Sequence, residues 1–228
     1  MAKLSFECVG AYADLYAVAP TIGFSLRITE NSDTPIHAIA LRCQIRIEPQ
    51  RRRYSTAEAA RLNDLFGDAS RWTDTLRPLQ FTVVNTMVPS FCGSIDINVP
   101  VQCTYDLEIA AARYFYALDD DAAPLLMLFS GTVFAKVEPD SGPSTGFQVE
   151  PVPWSAECGF RLPLSVWKEM VDRFFPNSGW LRLSRETLDG LARHKSRLAL
   201  PTWDATIASL LPAEDRFADG REVRHSDS

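Results

Sequence analysis

The residues best suited to recognition chemistry are arginines gathered in a chain that is acidic as a whole. Arg51-Arg52-Arg53-Tyr54 follows a segment in which Arg42 and Arg46 alternate with apolar residues. A strand there would put Arg42 and Arg46 on one face and lead it into the triplet. Guanidinium groups present N–H donors in a rigid fork, so a group of them can grip carboxylates or phosphates. The same residues also suit an ordinary solvated strand end, paired with Glu48 or Glu58. A second candidate is Phe175-Pro176-Asn177-Ser178-Gly179-Trp180. Phe175, Asn177 and Trp180 could offer a partner an aromatic anchor, or they could pack as a turn between helices.

Catalytic motifs are missing by comparison. The three histidines, His37, His194 and His225, have no second His, Cys or carboxylate at a spacing that metal sites use, so neither a metal nor a cofactor is expected. There is no Gly-x-Ser-x-Gly elbow and no phosphate loop ending in Gly-Lys-Ser or Gly-Lys-Thr. Asp119-Asp120-Asp121 lacks the glycine and glutamate of a calcium loop and reads as a solvated turn. An enzyme could still draw an acid and a base from scattered groups such as Asp106, Glu108 and His37. The 23 basic against 29 acidic residues leave a net charge of -6, which disfavours nucleic acid as a partner. Five cysteines, Cys8, Cys43, Cys92, Cys103 and Cys158, are odd in number and widely spaced, as reduced core thiols are. Glu7 interrupts any export signal, and neither Pro124 to Ala135 nor Leu79 to Ile95 could cross a bilayer. A cytoplasmic protein without membrane insertion is the expectation.

Strands must position the arginines. Leu4, Phe6 and Cys8, then Ile22 to Ile28, then Ile39 to Ile47 alternate with polar residues in the period of half-buried strands. Leu41, Cys43, Ile45 and Ile47 should face inward. A helix is expected over Thr56 to Phe66, with Ser55 and Glu58 as a capping box and Gly67 as its end. Strands resume at Leu79 to Met87, Ile95 to Val99 and Cys103 to Ile109. A long central hairpin, turning at Asp119 to Asp121, should then lead into Leu125 to Val137. A Pro/Gly-rich loop or hinge is expected over 138–153, a strand at Cys158 to Leu162, and helices starting near Leu164, Ser184 and Pro201. The predicted class is α+β and mainly β. It is an antiparallel immunoglobulin-like β-sandwich over 3–137, with a short helical insertion. A last strand and two or three C-terminal helices packed on the sandwich follow over 154–211, then a disordered tail over 212–228.

Several strings together resemble an uncharacterised bacterial family of unknown function associated with gene clusters for nickel-iron uptake hydrogenases. They are Ala40-Leu41-Arg42-Cys43-Gln44-Ile45-Arg46-Ile47-Glu48-Pro49-Gln50-Arg51-Arg52-Arg53-Tyr54, Phe129-Ser130-Gly131-Thr132-Val133-Phe134, Phe175-Pro176-Asn177-Ser178-Gly179-Trp180-Leu181 and Leu200-Pro201-Thr202-Trp203-Asp204-Ala205. The resemblance runs over residues 3–211. It implies a cytoplasmic accessory protein that binds hydrogenase subunits or maturation factors, and it assigns no residue a role. The helix opened by Pro201-Thr202-Trp203 is also similar in character to the last helix of the export chaperone SecB. A non-enzymatic protein-binding module is therefore the leading expectation. The alternatives are a SecB-like chaperone and an enzyme with an unrecognised site. Arg42, Arg46, Arg51, Arg52, Arg53, Tyr54, Phe175, Asn177 and Trp180 are the candidate contact residues.

Overall fold

Period-two alternation becomes strand along most of the first half. The computed structural model describes residues 3–32, 34–103, 108–119, 121–136, 147–176 and 183–212. Its first five strands are β1 (Leu4–Ala13), β2 (Thr21–Glu30), β3 (Ile36–Ile47), β4 (Leu79–Val88) and β5 (Ser94–Gln102). In β3 the alternation sets the register as expected: Leu41, Cys43, Ile45 and Ile47 are buried while Arg42 is exposed. Three further strands follow, β6 (Ala122–Lys136), β7 (Phe147–Pro151) and β8 (Glu157–Pro163).

The strands make two antiparallel sheets. One has the order β1-β2-β5; the other runs β4-β3-β6-β7, with β8 also paired to β6. Their apolar faces meet, and Phe6 of β1 stacks on Phe129 of β6 at 4.3 Å while Phe24 of β2 meets Phe160 of β8 edge-on at 6.0 Å. Ile22, Phe24, Leu26, Ile28, Ile39 and Ile45 are fully buried between the sheets. Each contributes roughly 1.5–3 kcal/mol of transfer free energy. The outer side of the four-stranded path carries Arg42 and Gln44 of β3 opposite Asn85 and Val83 of β4.

Helices close one end of this sandwich. After β3, a 3-10 turn at Pro49–Arg51 leads into α1 (Thr56–Arg61), α2 (Asn63–Phe66) and α3 (Trp72–Thr75); α4 (Glu108–Ala117) precedes β6, and α5 (Leu164–Phe174) follows β8. The expected capping box forms, with Ser55 accepting from the Glu58 amide and Glu58 from that of Ser55, and Gly67 ends α2 at φ +74°. Aromatic contacts seal this end: Phe81 to Phe115 at 5.7 Å, Phe66 to Tyr114 at 6.3 Å and Phe115 to Trp167 at 4.6 Å.

Three expectations are corrected. The strand over Cys103 to Ile109 and the central hairpin do not form as such, because Glu108–Ala117 is helix α4; residues 104–107 lie outside the described residues. Ala111, Tyr114, Phe115 and Leu118 are buried together. That helical spacing, realised against the end of the sandwich, outweighs the short run of alternation before it. Strand β6 finds its neighbour in β3 instead. Second, the loop over 138–153 contains β7, which extends the sheet along β6 from Thr132 to Lys136. Pro151 sits at the last position of that edge strand, where its missing N–H is tolerated. Third, Cys92 is exposed rather than in the core, whereas Cys8, Cys43 and Cys103 are buried and Cys158 is half-buried.

Residues Met1–Asn177 form one compact unit and Ser178–Ser228 a second. In the second, Ser184 caps α6 (Arg185–Arg197) and Thr202 caps α7 (Trp203–Ala208), as the capping residues predict. The expected tail falls outside the described residues from 213 onward. No helix among the described residues is long and apolar enough to cross a membrane.

Candidate functional site

The arginines separate into two environments. Past the end of β3 the chain turns into the helical end of the sandwich, and Arg52 turns inward with it. Its side chain is 6% exposed, donates from Nη2 to Glu58 Oε1 at 2.8 Å, and lies with Nε 3.7 Å from Asp121 Oδ2. The guanidinium also sits over the Tyr54 ring, 5.6 Å from its centroid. Tyr54 donates to the Pro49 carbonyl at 2.7 Å, and its hydroxyl lies 2.8 Å from that of Tyr114. Burial first, and then the Tyr114 phenol, push the Tyr54 phenol above its ordinary range.

Glu58 ties this cluster together. Besides Arg52 it accepts from the amides of Ser55 at 2.9 Å and Asp119 at 3.0 Å. Burial pushes its pKa upward, but these amide donors and the Arg52 cation together hold it below the ordinary value. Glu48, also buried, accepts from the Gln50 amide and has Arg51 Nε at 3.7 Å and Arg46 Nε at 3.8 Å. Arg46, Arg51 and Arg52 thus face carboxylates of their own chain, as the strand-end reading allowed.

Arg42 has no such neighbour. It projects from β3 on the outer face between Asn85 of β4 and Ser130 of β6, and no hydrogen bond or ion pair ties it to another described residue. Beside it runs a groove of about 330 Å³ lined by Ala40, Leu41, Arg42, Asn85, Thr86 and Met87. A second groove, of about 530 Å³, lies on the other side of β4 between Thr82 to Asn85 and Pro100 and Gln102 of β5. Val83 is 39% exposed and Met87 64%. A cation, exposed apolar side chains and a concave strip therefore occur together, the composition that contact hot spots favour. Arg53 is exposed and also without an ion pair among the described residues, but it is not part of this groove's lining.

The other candidates are not gathered here. Phe175 is half-buried where α5 ends and its amide donates to the Val171 carbonyl at 2.7 Å; Asn177 and Trp180 lie outside the described residues. His37 is exposed with its ring 4.4 Å from that of Phe147, Glu108 starts α4, and Asp106 lies outside the described residues. Val83, Asn85 and Met87 were not singled out by sequence reasoning. The signal was present in Leu79 to Val88, ten residues without a charge, whose polar members excluded a bilayer span but which also form an unguarded strand.

A family model described as Family of unknown function (DUF6084) matches residues 1–219. The chain belongs to this family. Among curated proteins none matches. Among solved structures the chain is similar to a Se-Met labelled beta-glucosidase from Kluyveromyces marxianus, at 8% identity and a TM-score of 0.24, over 70% of this chain and 15% of that one. A likeness this weak carries no argument about the DUF6084 chain.

Proposed function

We propose that this protein is a non-enzymatic protein-binding accessory module whose contact face is the outer side of the β4-β3-β6 sheet, centred on Arg42. The observation that carries this reading is the Arg42 guanidinium, unpaired among the described residues, beside the groove lined by Asn85 and Met87. Such a face suits a partner that presents a carboxylate flanked by apolar side chains. On this reading the two sheets are an immunoglobulin-like scaffold that displays side chains on a rigid face. The sequence resemblance supplies the partner to be tried first: subunits or maturation factors of a nickel-iron hydrogenase in a bacterial cytoplasm. Capture of those components from cells that express them tests the reading, using wild-type protein, Arg42→Glu and Arg53→Glu. Loss of capture with Arg42→Glu alone, at unchanged folding, supports it. Equal capture by all three proteins, or no hydrogenase component with any, counts against it. A second, chaperone-like reading draws on a different observation, the exposure of Leu188, Leu198, Trp203, Ile207, Leu210 and Leu211 in the second unit. Binding of unfolded clients that is indifferent to Arg42 and lost when these residues become polar would favour it.

A further inference from the structure

Strand β4 ends its sheet: among the described residues no strand is hydrogen-bonded to its outward backbone edge, which borders the groove shared with Asp14, Thr21 and β5. The other sheet edges are guarded in the usual ways. Glu7 and a bulge between Cys8 and Gly10 interrupt β1; Asp96 and Pro100 lie in β5. Glu150 and Pro151 end the five residues of β7, and β8 carries Glu157, Arg161 and Pro163. Strand β4, Leu-Gln-Phe-Thr-Val-Val-Asn-Thr-Met-Val, has no charge, proline or glycine in ten residues. A sheet edge without a gatekeeper is a template for another strand; of the β4 carbonyls, that of Thr82 accepts from the Gln80 side chain at 2.9 Å.

The pattern of side chains says which strand. Around Asn85 the residues pair by kind: Val84 with Thr86, Val83 with Met87, Thr82 with Val88. An antiparallel pairing of β4 with β4 of a second copy, with the two-fold axis at Asn85, realises these pairs twice over. Val83 of one copy then meets Met87 of the other on the outer face, covering the two exposed apolar residues there. The two Asn85 amides, each both donor and acceptor, meet at the axis. No charge lies on the strand itself, and the charge lining the adjoining groove is the acidic Asp14, so an uncharged strand such as that of a second copy suits the edge better than an acidic segment does. Arg42, directly opposite Asn85 in β3, ends up three strand spacings from its counterpart, roughly 14 Å. That exceeds the screening length of about 8 Å at physiological salt.

We infer that the protein forms a two-fold dimer in which β4 pairs antiparallel with β4 of a second copy about Asn85, joining the two larger sheets into one. The dimer does not depend on the accessory-protein reading, and it would present Arg42-Asn85-Asn85-Arg42 as one continuous row on its outer face. Because each copy carries -6, raising salt should hold or strengthen the pairing, the opposite of an arginine-to-carboxylate contact.

Sedimentation equilibrium of the full chain at about 1–100 µM, with no partner present, tests this together with charge substitutions at the exposed positions. Wild type should show twice the 25.5 kDa chain mass. Val83→Lys with Met87→Lys places lysine opposite lysine twice and should raise the dissociation constant at least about tenfold. Val83→Lys with Met87→Glu places lysine opposite glutamate twice and should restore the dimer. Circular dichroism and thermal melts establish that both variants fold. A monomeric wild type overturns the inference, whether its β4 amides exchange freely or are shielded by another segment of the chain. So does a dimer untouched by the double lysine, or one that the lysine-glutamate variant fails to restore. Because Met87 also lines the groove beside Arg42, capture is read separately, with a partner present and β4 left wild type, so that failure of the dimer and failure of the contact face are told apart.

Discussion

Replacing Glu58 by glutamine keeps the shape of the side chain and removes its charge. In the native protein that charge is 5% exposed and is held by Arg52 at 2.8 Å and by the Ser55 and Asp119 amides. The variant leaves the Arg52 cation buried, with Asp121 at 3.7 Å as its nearest remaining carboxylate. Removing one partner of a buried pair costs about 3–5 kcal/mol. Arg52 and Asp119 both donate to Oε1, so an amide oxygen there can still accept two of the three bonds, and the lower figure of about 3 kcal/mol applies. For a chain of this size that is a fall in melting temperature of roughly 6–12 °C. Urea unfolding at pH 7 measures the loss, with the slope of the transition unchanged. Arg52→Met with Glu58→Leu should recover most of it, since no charge is then left unpaired, and the double-mutant cycle gives the coupling directly. The sign of the pH dependence follows from the lowered Glu58 pKa. The stabilisation is fully present above the ordinary value of 4.5 and is lost as pH falls through the lower, folded value. Wild type should therefore lose more stability than Glu58→Gln as pH falls below about 4.5. A variant within about 0.5 kcal/mol of wild type at pH 7, or additive effects of the two single changes, would refute a structural role for this pair.

Gly131→Ala should destabilise the sandwich by more than about 3 kcal/mol. Gly131 has φ +144° and an added Cβ would lie 2.0 Å from the Ala40 carbonyl oxygen of β3, so a thermal melt of the variant reads the clash directly. Glu30→Gln should cost about 2 kcal/mol at pH 7 and less in acid. The buried Glu30 carboxylate accepts from the amides of Lys3, Ser32 and Thr34 at 2.8 to 2.9 Å. Burial raises its pKa, but the Ser32 hydroxyl and these amides hold it below the ordinary value. Unfolding of Glu30→Gln by urea at pH 7 and again near pH 3 checks both parts.

Much of the sandwich is legible in the sequence because alternation over ten or more residues admits one register. In β3, a slip by one residue would bury Arg42 and expose Ile45. Helix α4 was not legible, because its buried face of Ala111, Tyr114 and Phe115 gains its value from Tyr54, Phe66, Phe81 and Trp167, which are distant in sequence. The strand β7 escaped for a related reason: five residues ending in proline carry little signal until β6 stands beside them. The arginine cluster was legible as a composition but not as a geometry. Sequence spacing cannot show that Arg52 turns inward to Glu58 while Arg42 stays in solvent, since that depends on the turn at Pro49–Arg51 and on where Asp121 returns. The open edge of β4 was visible only as an absence of charge, and it acquires meaning once the strand is known to end a sheet.

The most direct test of the binding face is a titration of purified hydrogenase subunits against wild type, Arg42→Glu and Arg53→Glu, repeated as salt is raised. Both arginines are exposed and neither is ion-paired among the described residues, so general charge effects act on them alike. The proposed face predicts affinity at least about tenfold weaker for Arg42→Glu, within about twofold of wild type for Arg53→Glu, and a wild-type affinity that declines as salt screens the contact. Equal affinities for all three proteins, or a larger loss at Arg53, would contradict it.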